Sequence, residues 1–262
     1  MRIDQLETED YEDILTDSLE FLGGKRVVDE DIIRYGPLRL TVAPKEGKAS
    51  TLLADHLFSP ALFLAERIER GLIDERGRTV LELGSGTALP SLLLATLPNP
   101  PLLVLVTDYP DAGILGNVKN NVDRNADSFN QKCVVKCHGY DWGTDPSPLL
   151  KILPDGESGF DTLILSDLLH FYDAHPVLVS SIISLLKKSP SSQVHVGAGS
   201  YTKPHVCDNF LALGKQAGLQ FEEFQSSDED KGWNGSMSVS GLDKEALALR
   251  KGACRYWVGK WA

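Results

Sequence analysis

Thr79-Val-Leu-Glu-Leu-Gly-Ser-Gly-Thr-Ala-Leu-Pro90 is the stretch that decides the fold of this chain. An apolar run that ends in Glu-x-Gly-x-Gly predicts a buried strand that turns sharply into a helix. A turn of this kind cradles a nucleoside cofactor, because Gly84 and Gly86 let the backbone follow a tight path. Glu82, just before the glycines, would hold a ribose hydroxyl or brace the glycine loop through backbone amides.

The next predicted strand, residues 102–107, is apolar and ends at Asp108. A carboxylate at the tip of that strand can accept hydrogen bonds from ribose hydroxyls. Dinucleotide enzymes use Gly-x-Gly-x-x-Gly/Ala, in which the third small residue lets the helix pack closely. That third position is Leu89 here. The combination therefore favours S-adenosylmethionine over NAD as the cofactor.

Strand and helix patterns alternate along the chain, which is typical of an α/β protein. The apolar-alternating segments 219–225 and 254–261 need no long helix between them and could pair antiparallel. We therefore expect one Rossmann-like domain with a mostly parallel sheet, an antiparallel C-terminal strand and helices on both faces. The predicted parallel strands are 79–83, 102–107, 132–138, 160–167 and 193–198, and the main helices are 56–70, 89–97, 112–125, 177–188 and 205–217.

Composition sets limits on domain number, partners and location. The 262 residues suit one domain, and 26 basic against 37 acidic side chains give a net charge of −11, which disfavours nucleic acid as a partner. No apolar run approaches the roughly 20 residues that span a bilayer, so we expect a cytoplasmic protein without a membrane partner. No zinc site is expected from the cysteine spacing. We predict an acidic N-terminal extension at 1–35 and a catalytic domain at 36–262, with a polar surface insertion near 226–252.

Polar and aromatic residues follow the predicted strands at their carboxyl ends, where ligands bind in open α/β sheets. Trp142 could lay its ring beside an adenine, or it could be a tryptophan at the edge of the core. Methyl transfer is an in-line substitution, so the protein mainly aligns the acceptor and helps it lose a proton. Asp167, His170 and Tyr172 would lie near the reacting methyl group, and we predict Asp167 and Tyr172 as catalytic. Polar loop residues of this kind also often bond only to the local backbone.

Several motifs together carry a resemblance to a known family. In order and spacing, they resemble the lysine methyltransferase-like family of seven-strand methyltransferases over roughly residues 35–262. The resemblance is greatest to its fungal branch called nicotinamide N-methyltransferase-like, which includes an enzyme that methylates the N-terminus and a nearby lysine of translation elongation factor 1 alpha. The motifs are Leu57-Phe-Ser-Pro-Ala-Leu-Phe-Leu-Ala65, Val80 to Pro90, Thr107-Asp-Tyr-Pro110, Tyr140-Asp-Trp-Gly143 and Leu165-Ser-Asp-Leu-Leu169.

The resemblance implies a role for each matching residue. Gly84, Ser85 and Gly86 would meet the methionine part of S-adenosylmethionine, Asp108 the ribose, Trp142 the adenine side, and Ser166 would line the methyl end. Phe58 stands where the family usually has Trp, which keeps a stacking face over the cofactor but loses the indole N–H donor. Many protein-methylating relatives end the fourth strand in Asp-x-x-Tyr, whereas this chain has Asp167-Leu-Leu-His170.

The resulting hypothesis is an S-adenosylmethionine-dependent N-methyltransferase that acts on a protein lysine or an N-terminal amine, with a translation factor as one possible protein substrate. The first alternative is methylation of a small molecule such as nicotinamide or a metabolite amine. The second is a non-catalytic binding module that keeps the fold and holds a basic partner, prompted by Phe58 and His170. A closed cover over the site would suit a small acceptor, and an open groove would suit a protein segment. The oligomeric state is left open.

Overall fold

The computed structural model describes residues 32–225 and 230–262. Most of the predicted acidic extension therefore lies outside the described residues. The last part of the extension is described and folded: β1 (Ile33–Tyr35) pairs with β2 (Leu38–Leu40) in an antiparallel hairpin. Tyr35 is fully buried, so the folded domain begins before residue 36.

A seven-stranded sheet forms the centre of the described protein. Its strands are β3 (Thr79–Leu83), β4 (Leu103–Asp108), β5 (Val134–Gly139), β6 (Thr162–Ser166), β7 (Gln193–Gly199), β8 (Leu219–Glu223) and β9 (Cys254–Trp261). They lie in the order β5-β4-β3-β6-β7-β9-β8. The first five are parallel, and β9 runs antiparallel to both of its neighbours. The predicted mixed sheet with its antiparallel C-terminal strand is confirmed.

Successive side chains on the central strands point to opposite faces of the sheet, and each face carries its own core. Val80 and Ile164 belong to one core, whereas Leu81 and Leu163 belong to the other. The helices that cover these cores are α1 (Gly47–Thr51), α2 (Ser59–Glu69), α3 (Leu89–Thr96), α4 (Ala112–Asn125), α5 (Ser147–Leu150), α6 (His175–Leu185), α7 (Pro204–Gln216) and α8 (Lys244–Gly252). Within the described residues, no helix combines the length and apolar character that crossing a membrane requires.

Residues 43–58 form a covering segment over the carboxyl edge of the sheet. Ala43, Ala49 and Ala54 pack on Ile114 of α4, and the Ala43 amide donates to the Ala54 carbonyl at 3.1 Å. The sequence predicts a helix over 56–70 with Ser59 as its N-cap, but Phe58 occupies that position in an extended conformation. The helix begins at Ser59 because Pro60, which lacks an N–H, fits its first turn. Residues 56–58 therefore belong to the covering segment and not to the helix.

The sequence predicts a surface insertion near 226–252, and its described part, residues 230–252, has an exposed outer side and a buried inner side. Trp233 and Leu247 belong to the core that also contains α2. The Lys251 ammonium donates to Glu66 Oε1 at 2.9 Å and to Asp230 Oδ1 at 3.2 Å. The Lys251–Glu66 ion pair fastens the segment to α2, the helix whose N-cap is Phe58, and the Lys251–Asp230 pair joins two parts of the segment itself.

Candidate functional site

A cavity of about 260 Å³ opens at the carboxyl ends of β3, β4 and β6. The covering segment forms one wall, through residues that include Leu53 and Phe58. The other walls come from the loops that follow the strands. This is the edge at which open α/β sheets bind ligands.

The glycine turn and the end of β4 are locked together. Gly84 and Gly86 have φ values of +56° and +53°, which other residues rarely adopt. The Gly86 amide donates to Asp108 Oδ2 at 2.7 Å, and the Ser85 amide donates to the Thr107 carbonyl at 2.9 Å. A Cβ at Gly84 would lie 2.7 Å from Leu168 Cδ2. A side chain at position 84 would therefore clash with Leu168, so this point of the cavity wall requires glycine.

Asp108 presents a carboxyl group to the cavity with fixed orientation. Oδ1 accepts from the Tyr109 amide at 2.7 Å, while Oδ2 is held by Gly86. Burial raises the pKa of Asp108 to about 6. Each carboxylate oxygen has two lone pairs, so both can still accept a hydroxyl of a bound sugar at neutral pH.

Glu82 does not line the cavity. It is fully buried beneath the glycine turn, and its Oε2 accepts from the Ser91 amide in the first turn of α3 at 3.3 Å. Burial raises the pKa of Glu82 to about 8. Of the two roles expected for this residue, the contacts match bracing of the turn, because no part of the carboxyl group reaches the cavity.

Aromatic rings surround the cavity. The loop that carries Trp142 is fastened by Ser181 Oγ, which accepts from the Gly143 amide at 2.8 Å. Trp142 meets the Phe171 ring edge to face, with ring centroids 5.7 Å apart. The Phe58 ring lies 6.1 Å from Tyr201 and 6.5 Å from His170. Flat faces are thus available on both the covering segment and the sheet edge.

Asp167 lies at the end of β6 in a strained conformation. Its φ is +66°, and strain of this kind in a non-glycine residue often marks a functional site. Its carboxylate accepts from the Gly199 amide at 3.2 Å and from the Tyr201 hydroxyl. Burial raises the pKa of Asp167, and burial together with Asp167 raises that of Tyr201. Ser166 Oγ, beside it, has no hydrogen-bond partner among the described residues.

Eight of the ten predicted site residues line this one cavity. Tyr172 does not, because its side chain is 51% exposed and its ring packs 5.6 Å from His175. Sequence reasoning missed Tyr201, although it follows the fifth predicted strand by three residues. It also missed residues 48–57, for which the sequence holds no comparable signal. The eight are Phe58, Gly84, Ser85, Gly86, Asp108, Trp142, Ser166 and Asp167.

Comparisons with known proteins agree with this geometry. Residues 46–207 match the family described as "Lysine methyltransferase". A protein from Gibberella zeae named "Protein N-terminal and lysine N-methyltransferase EFM7" is 35% identical over 193 residues, which is 70% of this chain and 72% of that protein. Its namesake from Aspergillus fumigatus is 31% identical over 189 residues, covering 69% and 72%. A solved SAM-dependent methyltransferase from Aquifex aeolicus has the same fold, with a TM-score of 0.53, 11% identity and coverage of 83% and 100%.

Proposed function

The chain belongs to the lysine methyltransferase family, and on that premise we propose that it transfers the methyl group of S-adenosylmethionine to a lysine side chain or an N-terminal amine of a protein. It is a methyltransferase, as the family and the named relatives are. One observation carries the proposal: the glycine turn with Asp108 and the buried carboxylate of Asp167 face the same cavity. A cofactor site and an acceptor site are therefore contiguous.

The residues of the cavity fit the proposed cofactor. Asp108 would hold the ribose hydroxyls, and the bare backbone at Gly84 leaves the space that a Cβ would fill against Leu168. Trp142 and Phe58 offer stacking faces to the adenine side and to the methyl end, and Ser166 Oγ is a free donor there. When bound, S-adenosylmethionine supplies a methyl group on a positively charged sulfur.

Asp167 supplies negative charge at the acceptor end of the cavity. A lysine side chain or an N-terminal amine approaches as a cation, and a carboxylate in a partly dry pocket attracts it strongly. The amide of Gly199 and the hydroxyl of Tyr201 hold that carboxylate in place, so little reorganisation is needed when the acceptor arrives.

The named relatives, which are protein N-terminal and lysine N-methyltransferases, favour a protein acceptor over a small one, and apolar side chains are exposed beside the cavity. Tyr172 and Val177 are 51% and 42% exposed, and Tyr172 is adjacent to the cavity residue Phe171 in sequence. A Cβ at Gly143, next to Trp142, would meet Val177 at 2.9 Å. These exposed apolar side chains are available to contact a protein segment that enters the cavity.

The test is an acceptor comparison with labelled S-adenosylmethionine. We would assay purified elongation factor 1 alpha with a free N-terminus, the same factor with an acetylated N-terminus, and nicotinamide, and locate the methyl group by mass spectrometry. Label on a protein amine supports the proposal: its loss after acetylation assigns the methyl group to the N-terminus, and its retention assigns the methyl group to a lysine side chain. Label on nicotinamide alone would replace it with the small-molecule alternative. Cofactor binding without transfer to any amine would favour the binding-module reading.

A further inference from the structure

His170 differs from the two buried histidines, His175 and His195, in its hydrogen bonding. His175 is bonded at both ring nitrogens: Nε2 donates to the Leu169 carbonyl at 2.8 Å, and Nδ1 accepts from the Asn209 side-chain amide at 3.0 Å. His195 is likewise bonded on both sides, to Tyr256 and Glu75. Both ring nitrogens of His170 are buried, and within residues 32–225 and 230–262 neither has a partner at hydrogen-bonding geometry. Buried polar atoms without partners are rare in folded proteins and call for a ligand or a chemical role.

The ring of His170 lines the same cavity as Asp167. It lies 4.0 Å from the Phe171 ring and 6.5 Å from the Phe58 ring, measured between centroids. Burial lowers the pKa of His170, and the nearby carboxylate and backbone of Asp167 oppose that shift. A neutral imidazole with one accepting nitrogen is therefore the form that faces the cavity at neutral pH.

We propose that His170 is a catalytic residue that binds the acceptor amine through a ring nitrogen and takes the proton the amine must lose before methyl transfer. The inference rests on the proposed function, since it requires an amine acceptor. It gives the proton to His170 because both of its ring nitrogens lack a partner among the described residues, whereas the Asp167 carboxylate is held by Gly199 and Tyr201 and acts as the nearby negative charge.

An ammonium has no lone pair, so one N–H bond breaks and its proton forms a new N–H bond on His170, leaving a neutral amine and an imidazolium. The amine lone pair then bonds to the methyl carbon while the carbon–sulfur bond breaks, and its electrons stay on sulfur. The product is a methylated ammonium, and the imidazolium returns its proton to solvent. Asp167 stabilises the imidazolium as a nearby negative charge.

The test is chemical rescue of His170→Ala by free imidazole, using the full chain and elongation factor 1 alpha as acceptor. We expect kcat to fall about 10²- to 10³-fold, the Kd for S-adenosylmethionine to stay within twofold, and added imidazole to restore part of the lost kcat in a concentration-dependent way. His170→Asn keeps a polar group but cannot take a proton at neutral pH, so it should be as slow as His170→Ala. Thermal unfolding and cofactor binding report whether each variant is folded.

His56→Ala is the matched control, because His56 lines the same cavity but bonds to Asp55 at 2.8 Å. Imidazole should not restore activity to it. Rescue of His56→Ala and not of His170→Ala would overturn the inference. So would a folded His170→Ala with kcat near that of the wild type, or a loss that imidazole does not restore while His170→Asn stays active. A wild-type protein that methylates no amine would overturn the proposed function itself, and the inference with it.

Discussion

Replacing Gly199 with alanine should disconnect the carboxylate of Asp167 from the hydroxyl of Tyr201. A Cβ at Gly199 would overlap Cε1 and Cζ of Tyr201 and lie 2.8 Å from its hydroxyl oxygen. Because atoms in a close-packed interior cannot approach so closely, the ring must move. The Tyr201 hydroxyl would then leave the Asp167 carboxylate to which it donates.

The magnitude follows from two effects. Inserting a methyl group into a packed site costs about 1–3 kcal/mol, and a hydrogen bond to a charged group contributes about 1.5–3 kcal/mol. If the two effects add, we expect the free energy of unfolding to fall by about 2.5–6 kcal/mol. If the same hydrogen bond orients Asp167 during the reaction, its loss should lower kcat by about 10- to 100-fold.

The assay pairs urea unfolding with kcat measured at saturating S-adenosylmethionine. Tyr201→Phe removes only the hydroxyl, so it should reproduce the loss in kcat with a smaller loss of stability. Gly116→Ala, in α4, is the matched glycine control, because apart from the chain neighbours and the backbone of the helix no described atom lies within 4 Å of the added Cβ. Wild-type kcat in both Gly199→Ala and Tyr201→Phe would refute the reasoning, since Asp167 would then need no positioning partner.

The further predictions concern Asp108, the two predicted catalytic residues Asp167 and Tyr172, and the control glycine Gly116. Titration calorimetry should show S-adenosylmethionine binding weaken as the pH falls below about 6, where Asp108 becomes protonated, and Asp108→Asn should remove that pH dependence. Because the folded pKa of Asp108 lies above its usual value, the cofactor-free protein should conversely lose stability as the pH rises through about 6. Asp167→Asn should lower kcat about 10²-fold and leave the affinity for the cofactor unchanged. Tyr172→Phe should have the kcat of the wild type, because Tyr172 lies outside the cavity. Equal losses of kcat in both variants would contradict the site described. Gly116→Ala should raise the free energy of unfolding by about 0.5–1 kcal/mol, and a loss of stability in urea would mean that the space around it is not free.

The sequence by itself determined the sheet, the position of the glycine turn and the carboxylate that follows the second parallel strand. These features are local: the spacing of apolar residues indicates which residues are buried, and a Gly-x-Gly pair after an apolar run predicts a strand-to-helix turn. Because parallel strands end at one edge, the residues that follow each strand could be assigned to one site before their contacts were known.

Only the tertiary structure decided which of those residues act together. Tyr201 reaches Asp167 because β6 and β7 are neighbours in the sheet, a pairing that spacing along the chain does not encode. The left-handed conformation of Asp167 ends β6 one residue earlier than predicted, and Tyr172 turns outward while His170 faces the cavity. Glu82 lies beneath the turn, and residues 43–58 form one wall of the site by packing on α4. Hydrogen-bond partners and side-chain directions depend on groups far apart in sequence, and so only the folded chain specifies them.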